Sequence, residues 1–435
     1  MLRVKVKLLY LGVAIVFALL TNVIITHALF NKKGYVQARM ESQLPYGNYL
    51  PTSDNPLVRV VIKTNGFKQI AHPEVRLSAE GGLCLSVGGK INEVAGGETV
   101  LLKPDDERFQ RGSIFVEAKK EGEKITIHSL ERNYGSPSYR GAMELFATSE
   151  GIVIVNEVPL EEYLYAVVPS EMPASYEPEA LKCQAVCARS YAYCQMLAFS
   201  YPEYKAHIDD SVSYQVYGNI REHENTTKAV RETAGQKLWN EKQVVKTYYY
   251  STSCGYSTSV EAWGTELTAE NKYLSGATIQ NKNQEFYEKD LPWHRWEAVI
   301  PAKTLCNLIE LNTGTELGEL QDVSVTKTGF GGVALEVTAK GSKGSVIVCK
   351  ENKIRSALGG SGYQIRRQDG VLVDSTRLLP SAFFTITKQE GNYILSGGGH
   401  GHGIGMSQNG ANEMAKEGKS YKEILMFFYT GTRVE

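Results

Sequence analysis

Between residues 57 and 155 apolar and polar positions alternate in short runs that glycines interrupt. The short runs 58–62, 82–87, 114–118, 125–128 and 151–155 read as strands, which predicts an antiparallel β module. After Pro178 the period changes. Ala180, Cys183, Cys187, Tyr191 and Cys194 recur at steps of three and four, so small and apolar side chains form one stripe of a long helix. Pro178 suits its first turn, and Glu177 and Glu179 complement its positive end. A further helix is expected over 224–233 and a strand-like run over 244–250. Alternation returns in 323–326, 333–337 and 346–349, with a short helix over 354–358. Ser420 and Glu423 have the spacing of a capping box that opens a last helix over 424–429. Together these patterns predict an α+β protein, with a β-rich N-terminal module and a mixed α/β region built around one long helix.

The first thirty residues follow neither pattern. Arg3, Lys5 and Lys7 precede an uncharged run over 8–30, long enough as a helix to cross a bilayer. The basic flank predicts a cytoplasmic N-terminus and the bulk of the chain outside the membrane. Thr26-His27-Ala28 makes a poor cleavage site, so a retained anchor is expected over 1–30. A linker over 31–56 follows, then the β module over 57–155 and a catalytic region over 156–435.

Composition narrows the function. The 47 basic and 48 acidic residues leave a net charge of −1, so no global field recruits nucleic acid. The seven cysteines include no C-x-x-C pair, so neither a redox motif nor a zinc knuckle is signalled. An extracytoplasmic location permits disulfides, but the sequence assigns none.

The candidate chemistry begins at 167–175, where Glu171-Met172-Pro173 places a carboxylate just ahead of the long helix. Pro173 ends any helix that contains Glu171, so a rigid turn held between a preceding strand and the long helix is expected. On position alone such a Glu is more often a dipole partner than a catalyst. A polar loop over 207–218 follows the long helix. The hydroxyl-rich loop Ser251-Thr252-Ser253-Cys254, closed by Trp263-Gly264, suits sugar hydroxyls and faces, although such loops are most often plain turns. The glycine-rich run 397–411 matches neither phosphate-binding pattern. Its glycines let backbone lie flat against a ligand or a neighbouring segment, presenting His400 and His402. These imidazoles lack the i, i+4 spacing of zinc hydrolases, so structural hydrogen bonding is the stronger expectation for one of them.

Four motifs occur in order: Glu171-Met172-Pro173-Ala174-Ser175; the helix 180–192 with Gln184, Arg189, Ser190 and Tyr191; Ser251-Thr252-Ser253 with Trp263-Gly264; and 401–411. In this order they resemble the stage II sporulation protein D (SpoIID/LytB) family over about residues 57–435. The resemblance implies a membrane-anchored lytic transglycosylase that cuts peptidoglycan glycan strands, preferably strands an amidase has already stripped of stem peptides. It makes Glu171 the catalytic acid and matches Arg189 to a residue the family needs, either for the substrate or for the loops. The expected glycan-binding residues are Arg189, Tyr191, Ser211, Gln215, Tyr217, Ser251, Ser253, Trp263, His400, His402, Met406, Ser407 and Gln408. No cofactor is expected. Where some relatives carry metal ligands, this chain has Ile208, Ser213 and Tyr214, so no zinc is expected; Cys254 stands where relatives usually have Gly.

One carboxyl suffices for the implied reaction. Glu171 protonates the glycosidic oxygen and then takes the proton of the muramic acid C6 hydroxyl, which closes onto C1 as a 1,6-anhydro end. Such an acid must be protonated when substrate binds, a state burial favours. Attack by water would need a second carboxylate, with Asp209 or Asp210 first in line. Two other classes stay open: a non-catalytic glycan-binding enhancer of a cell-wall amidase, and a metal-dependent hydrolase using His400 and His402.

Overall fold

The computed structural model describes residues 55–435. The expected anchor and nearly all of the expected linker lie outside the described residues. Among those described, no helix is long and apolar enough to cross a membrane. The described residues form two compact units, one of 55–170 together with 195–221, the other of 171–194 together with 222–435.

The first unit is β-rich. Leu57–Ile62, buried along its whole length, pairs antiparallel with Gly151–Pro159 and parallel with Ile208–Asp209. Beyond Gly151–Pro159 the sheet continues through Ala142–Thr148, Ile114–Ala118, Leu83–Val87 and Lys90–Val94. A second, four-stranded sheet runs Val100–Leu102, Val75–Ser78, Ile125–Ile127, Ser138–Tyr139. The strand expected to stop at 155 continues to Pro159, so the expected domain edge at 155/156 falls inside it. Asn156 and Glu157 break the apolar pattern but are buried and bonded, Asn156 Nδ2 to the carbonyls of Arg140 and Ala142 and Glu157 to Arg59.

Helix α1 (Leu160–Glu171) follows this strand directly. Leu160, Tyr163, Leu164, Val167 and Val168 bury one helical stripe, so the segment preceding the Glu-Met-Pro turn is a helix and not a strand. Pro169 sits in its last turn, and Glu171 is its final residue. The turn 172–177 then leads into α2 (Pro178–Gln195).

In the second unit α2 is buried on nearly every side, from Ala180 through Ala192 apart from Lys182. Its stripe is therefore wider than the three–four spacing indicates; a helix apolar or small all round belongs at the centre of a core. Around it come α3 (Glu224–Glu232), α4 (Ala302–Thr313), α5 (Glu351–Leu358), α6 (Gln408–Lys416) and α7 (Tyr421–Phe428). Both halves of the Ser420–Glu423 capping box are formed at the start of α7. A five-stranded antiparallel sheet, Leu372–Asp374, Gln364–Arg367, Trp296–Pro301, Asn392–Gly397, Phe384–Gln389, encloses a separate core with the three-stranded Leu320–Thr328, Ala334–Gly341, Ser345–Cys349. The strand-like run 244–250 forms only two-residue strands, Gln243–Val244 and Tyr249–Tyr250. None of the seven cysteines forms a disulfide.

Candidate active site

The four motifs are spread over 240 positions of chain, and in the second unit hydrogen bonds join them. Tyr249–Tyr250 pairs in parallel with Met406–Ser407, and Thr252 pairs with His400 across an isolated bridge, so the hydroxyl-rich loop and the glycine-rich run lie side by side. Gly405 allows this approach: its φ is 77°, and a Cβ there would stand 2.0 Å from the Tyr248 carbonyl oxygen. The run ends at Ser407, whose Oγ accepts from Gly410 N at 3.2 Å and caps α6.

The first side chain of α6 reaches the Glu-Met-Pro turn. Gln408 Nε2 donates to the backbone carbonyl of Glu171 at 3.0 Å and to Gln184 Oε1 of α2 at 3.2 Å. Two more contacts hold the turn: Tyr176 Oη donates to Asn409 Oδ1 at 2.6 Å, and Glu177 N donates to Asn412 Oδ1 at 2.8 Å. Asn409 Nδ2 continues to the carbonyl of Ser251 and to Thr252 Oγ1, both at 3.0 Å. Glu171 itself is half-buried.

His402 lies between the rings of Trp263 and Tyr250, at 5.2 and 5.7 Å between centroids, and its Nδ1 accepts from Ile404 N at 3.1 Å. Burial, and then the Arg355 charge, push its pKa down to about 4, so the ring is neutral at pH 7. His400 packs on Trp293 at 4.9 Å and is lowered for the same reasons. Among the described residues no group of three or more His, Cys, Asp or Glu is arranged to hold a metal. Trp263 Nε1 donates to Glu351 Oε1 at 2.9 Å, and Tyr191 packs edge-on against Tyr248. Ser251, Trp263, His400 and His402 keep partial exposure, whereas Tyr191 and Gln408 keep 8% and 9%.

Several expected glycan contacts are turned inward. Arg189 is fully buried; its guanidinium donates to the carbonyls of Gln236 at 3.1 Å and Val230 at 3.2 Å. These bonds tie α2 to Val230 at the end of α3 and to Gln236 just beyond it. Met406 and Ser407 are buried where they pair in parallel with Tyr249–Tyr250, and Ser253 is buried against Glu288. Ser211, Gln215 and Tyr217 belong to the first unit and serve its interior: Tyr217 Oη donates to Asn156 Oδ1 at 2.7 Å, Tyr163 Oη donates to Gln215, and Ser211 Oγ donates to Asp209. Asp209 also accepts from Tyr201 Oη, and Asp210 forms a buried ion pair with Arg132 at 2.6 Å. Cys254 is buried, which pushes its thiol up to about 11, so no thiolate forms at neutrality.

One residue escaped sequence reasoning altogether. Glu288 is fully buried under this junction, accepting from Ser253 N and Ser407 Oγ, both at 2.8 Å, and from Ser253 Oγ. The only signal was a charge inside Phe286-Tyr287-Glu288, next to aromatic residues. Beside the same loop, Cys254, Tyr256, Arg295, Arg366 and Phe383 contribute to the lining of a cavity of about 640 Å³.

Two family models match. Residues 148–239 match one described as stage II sporulation protein, and 235–405 match a domain of unknown function, DUF8618. The stage II sporulation protein D of Bacillus subtilis is 30% identical over 77% of this chain and 90% of its own length. The chain belongs to the stage II sporulation protein D family. An uncharacterised protein of Brachyspira hyodysenteriae is also 30% identical, over 80% of each chain. The amidase enhancer of B. subtilis is 31% identical over 62% of this chain and 40% of its own length. These relatives support a cell-wall role connected with sporulation.

Proposed function

We propose that this protein is a lytic transglycosylase that cuts peptidoglycan glycan strands, with Glu171 as acid and then base. The observation that carries the reading is the bond from Gln408 to the Glu171 carbonyl, which brings the glycine-rich motif to the Glu-Met-Pro turn. Glu171 is the last residue of α1 and half-buried beside that bond. Carboxylates for water attack are wanting among the candidates named: Asp209 and Asp210 are buried and engaged, and Glu288 is buried completely. The C6 hydroxyl of the sugar therefore closes the ring in place of water. Muramic acid freed of its stem peptide carries a carboxylate, which suits Arg295 and Arg366 in the cavity beside Cys254.

The full-length protein, incubated with purified strands stripped of stem peptides, is expected to release fragments ending in 1,6-anhydromuramic acid by mass spectrometry. Intact strands should be cut only when an amidase is added. Reducing-end products would overturn the one-carboxyl mechanism. The likeness to an amidase enhancer favours a second reading, a glycan-binding partner that stimulates an amidase without cutting. Uncut strands together with a faster amidase would establish that reading instead.

We also propose that residues 8–30 anchor the chain, with both units outside the membrane. Protease added to intact protoplasts should remove residues beyond 55; protection of both units would sink this topology.

A further inference from the structure

Glu288 forms no ion pair with Lys, Arg or His among the described residues, yet it lies fully buried. Three hydrogen-bond donors replace the missing cation: Ser253 N, Ser253 Oγ and Ser407 Oγ. All three fit an ionised carboxylate that only accepts. Each serine hydroxyl also has a second duty, Ser253 Oγ accepting from Gly255 N and Ser407 Oγ from Gly410 N, both at 3.2 Å. Gly410 leaves room for this carboxylate, since a Cβ there would stand 2.9 Å from Glu288 Oε2.

We propose that ionised Glu288 is a positioning residue for the site, locking the Ser251–Cys254 loop to the start of α6 so that Gln408 holds Glu171 in place. Resting on the glycan-cleavage reading, this adds a pH control to it. The logic is proton counting. A protonated Glu288 has an O–H that needs an acceptor, and the nearest oxygens are the two serine hydroxyls. The hydroxyl that accepts this proton can no longer donate to the same carboxyl oxygen, so its own O–H is left without an acceptor in the buried junction. Relieving that orphaned donor means moving the serine that ties the loop to the cap of α6, and so loosens the segment that carries Gln408.

Burial raises the Glu288 pKa to about 7, against the lowering effect of the serine donors, so the switch falls near neutrality. The other titratable groups facing it are Glu413 on α6, Tyr176, Tyr250 and Cys254, with His294 reached through the Ser253 carbonyl. Burial pushes the tyrosines and the thiol up, and His294 down to about 4, so those four hold one charge state through neutrality.

Activity and stability should then respond to pH in opposite directions. The folded state binds the Glu288 proton more tightly than the unfolded chain, whose carboxyl titrates near 4.5. This contribution to stability is full below about 4.5 and is lost as pH rises through about 7. Cleavage should instead fall as pH drops below about 7, because the ionised form is the one that positions Glu171. A merely structural buried carboxyl would not give that opposition.

The test uses full-length wild type and Glu288→Gln between pH 5.5 and 8.5. Wild-type cleavage should show an acid limb near neutrality, whereas Glu288→Gln should lose the limb and have kcat lowered about ten- to a hundredfold with KM little changed. In parallel, hydrogen exchange of a 406–413 peptide, corrected for intrinsic rate, should speed up in wild type below neutrality and be fast at every pH in the variant. The wild-type titration stands even where the variant fails to fold. Exchange that ignores both pH and the substitution would overturn the positioning role, whatever the activity. An acid limb retained in Glu288→Gln would overturn it as well. Exchange that responds as expected, with strands left uncut by wild type, would instead reject glycan cleavage and keep the lock.

Discussion

Glu171→Gln is expected to fold like the wild type and to cut stripped glycan strands at under about one per cent of its rate. The substitution keeps size and shape but removes the exchangeable proton, and general acid catalysis contributes about two to four orders of magnitude. Stability should change by under about 1 kcal/mol, as for an ordinary half-buried position. The structure gives a specific reason: Gln408 donates to the backbone carbonyl of Glu171, which the Gln variant retains. Urea melts paired with a product assay read both quantities. Cleavage above about a tenth of the wild-type rate would remove Glu171 from the catalytic role.

Arg189→Met should have the opposite signature. The guanidinium is fully buried and donates to the carbonyls of Val230 and Gln236, tying α2 to the end of α3 and the turn beyond it. Methionine refills much of the volume but supplies no donor. Losing hydrogen bonds from a buried charged group should cost about 3 kcal/mol or more, a fall in Tm of about 10 °C. Protein that remains folded should keep kcat near the wild-type value. A variant with unchanged Tm and lost cleavage would show instead that Arg189 acts on the substrate.

The two substitutions separate what the sequence joined. Glu171 and Arg189 stand 18 positions apart in one motif-rich stretch, and spacing alone offered no means of telling a side chain that water reaches from one that it does not. Burial tells them apart: one side chain keeps contact with solvent and the other keeps none.

Local periodicity was enough for the strands of the first unit, the long α2 and the capped α7, because alternation, three–four spacing and capping chemistry act between near neighbours. It was enough also for the motifs that mark the family. It missed α1, because Pro169 and Pro173 are local helix breakers that mask its apolar stripe, and it cut the strand Gly151–Pro159 at 155 because Asn156 and Glu157 look like the end of a run. Their partners lie on other segments, Arg140, Ala142 and Arg59, which no local pattern shows. Glu288 is the extreme case. Its meaning rests on Ser253, 35 positions before it, and Ser407, 119 positions after it, so no window on the sequence contains the cluster. What the sequence determined by itself is the set of elements and the chemistry on offer. Which hydroxyls, amides and carboxyls meet, and which of them water can still reach, was decided only when distant segments packed together, because desolvation and hydrogen-bond partnership are properties of the packed core.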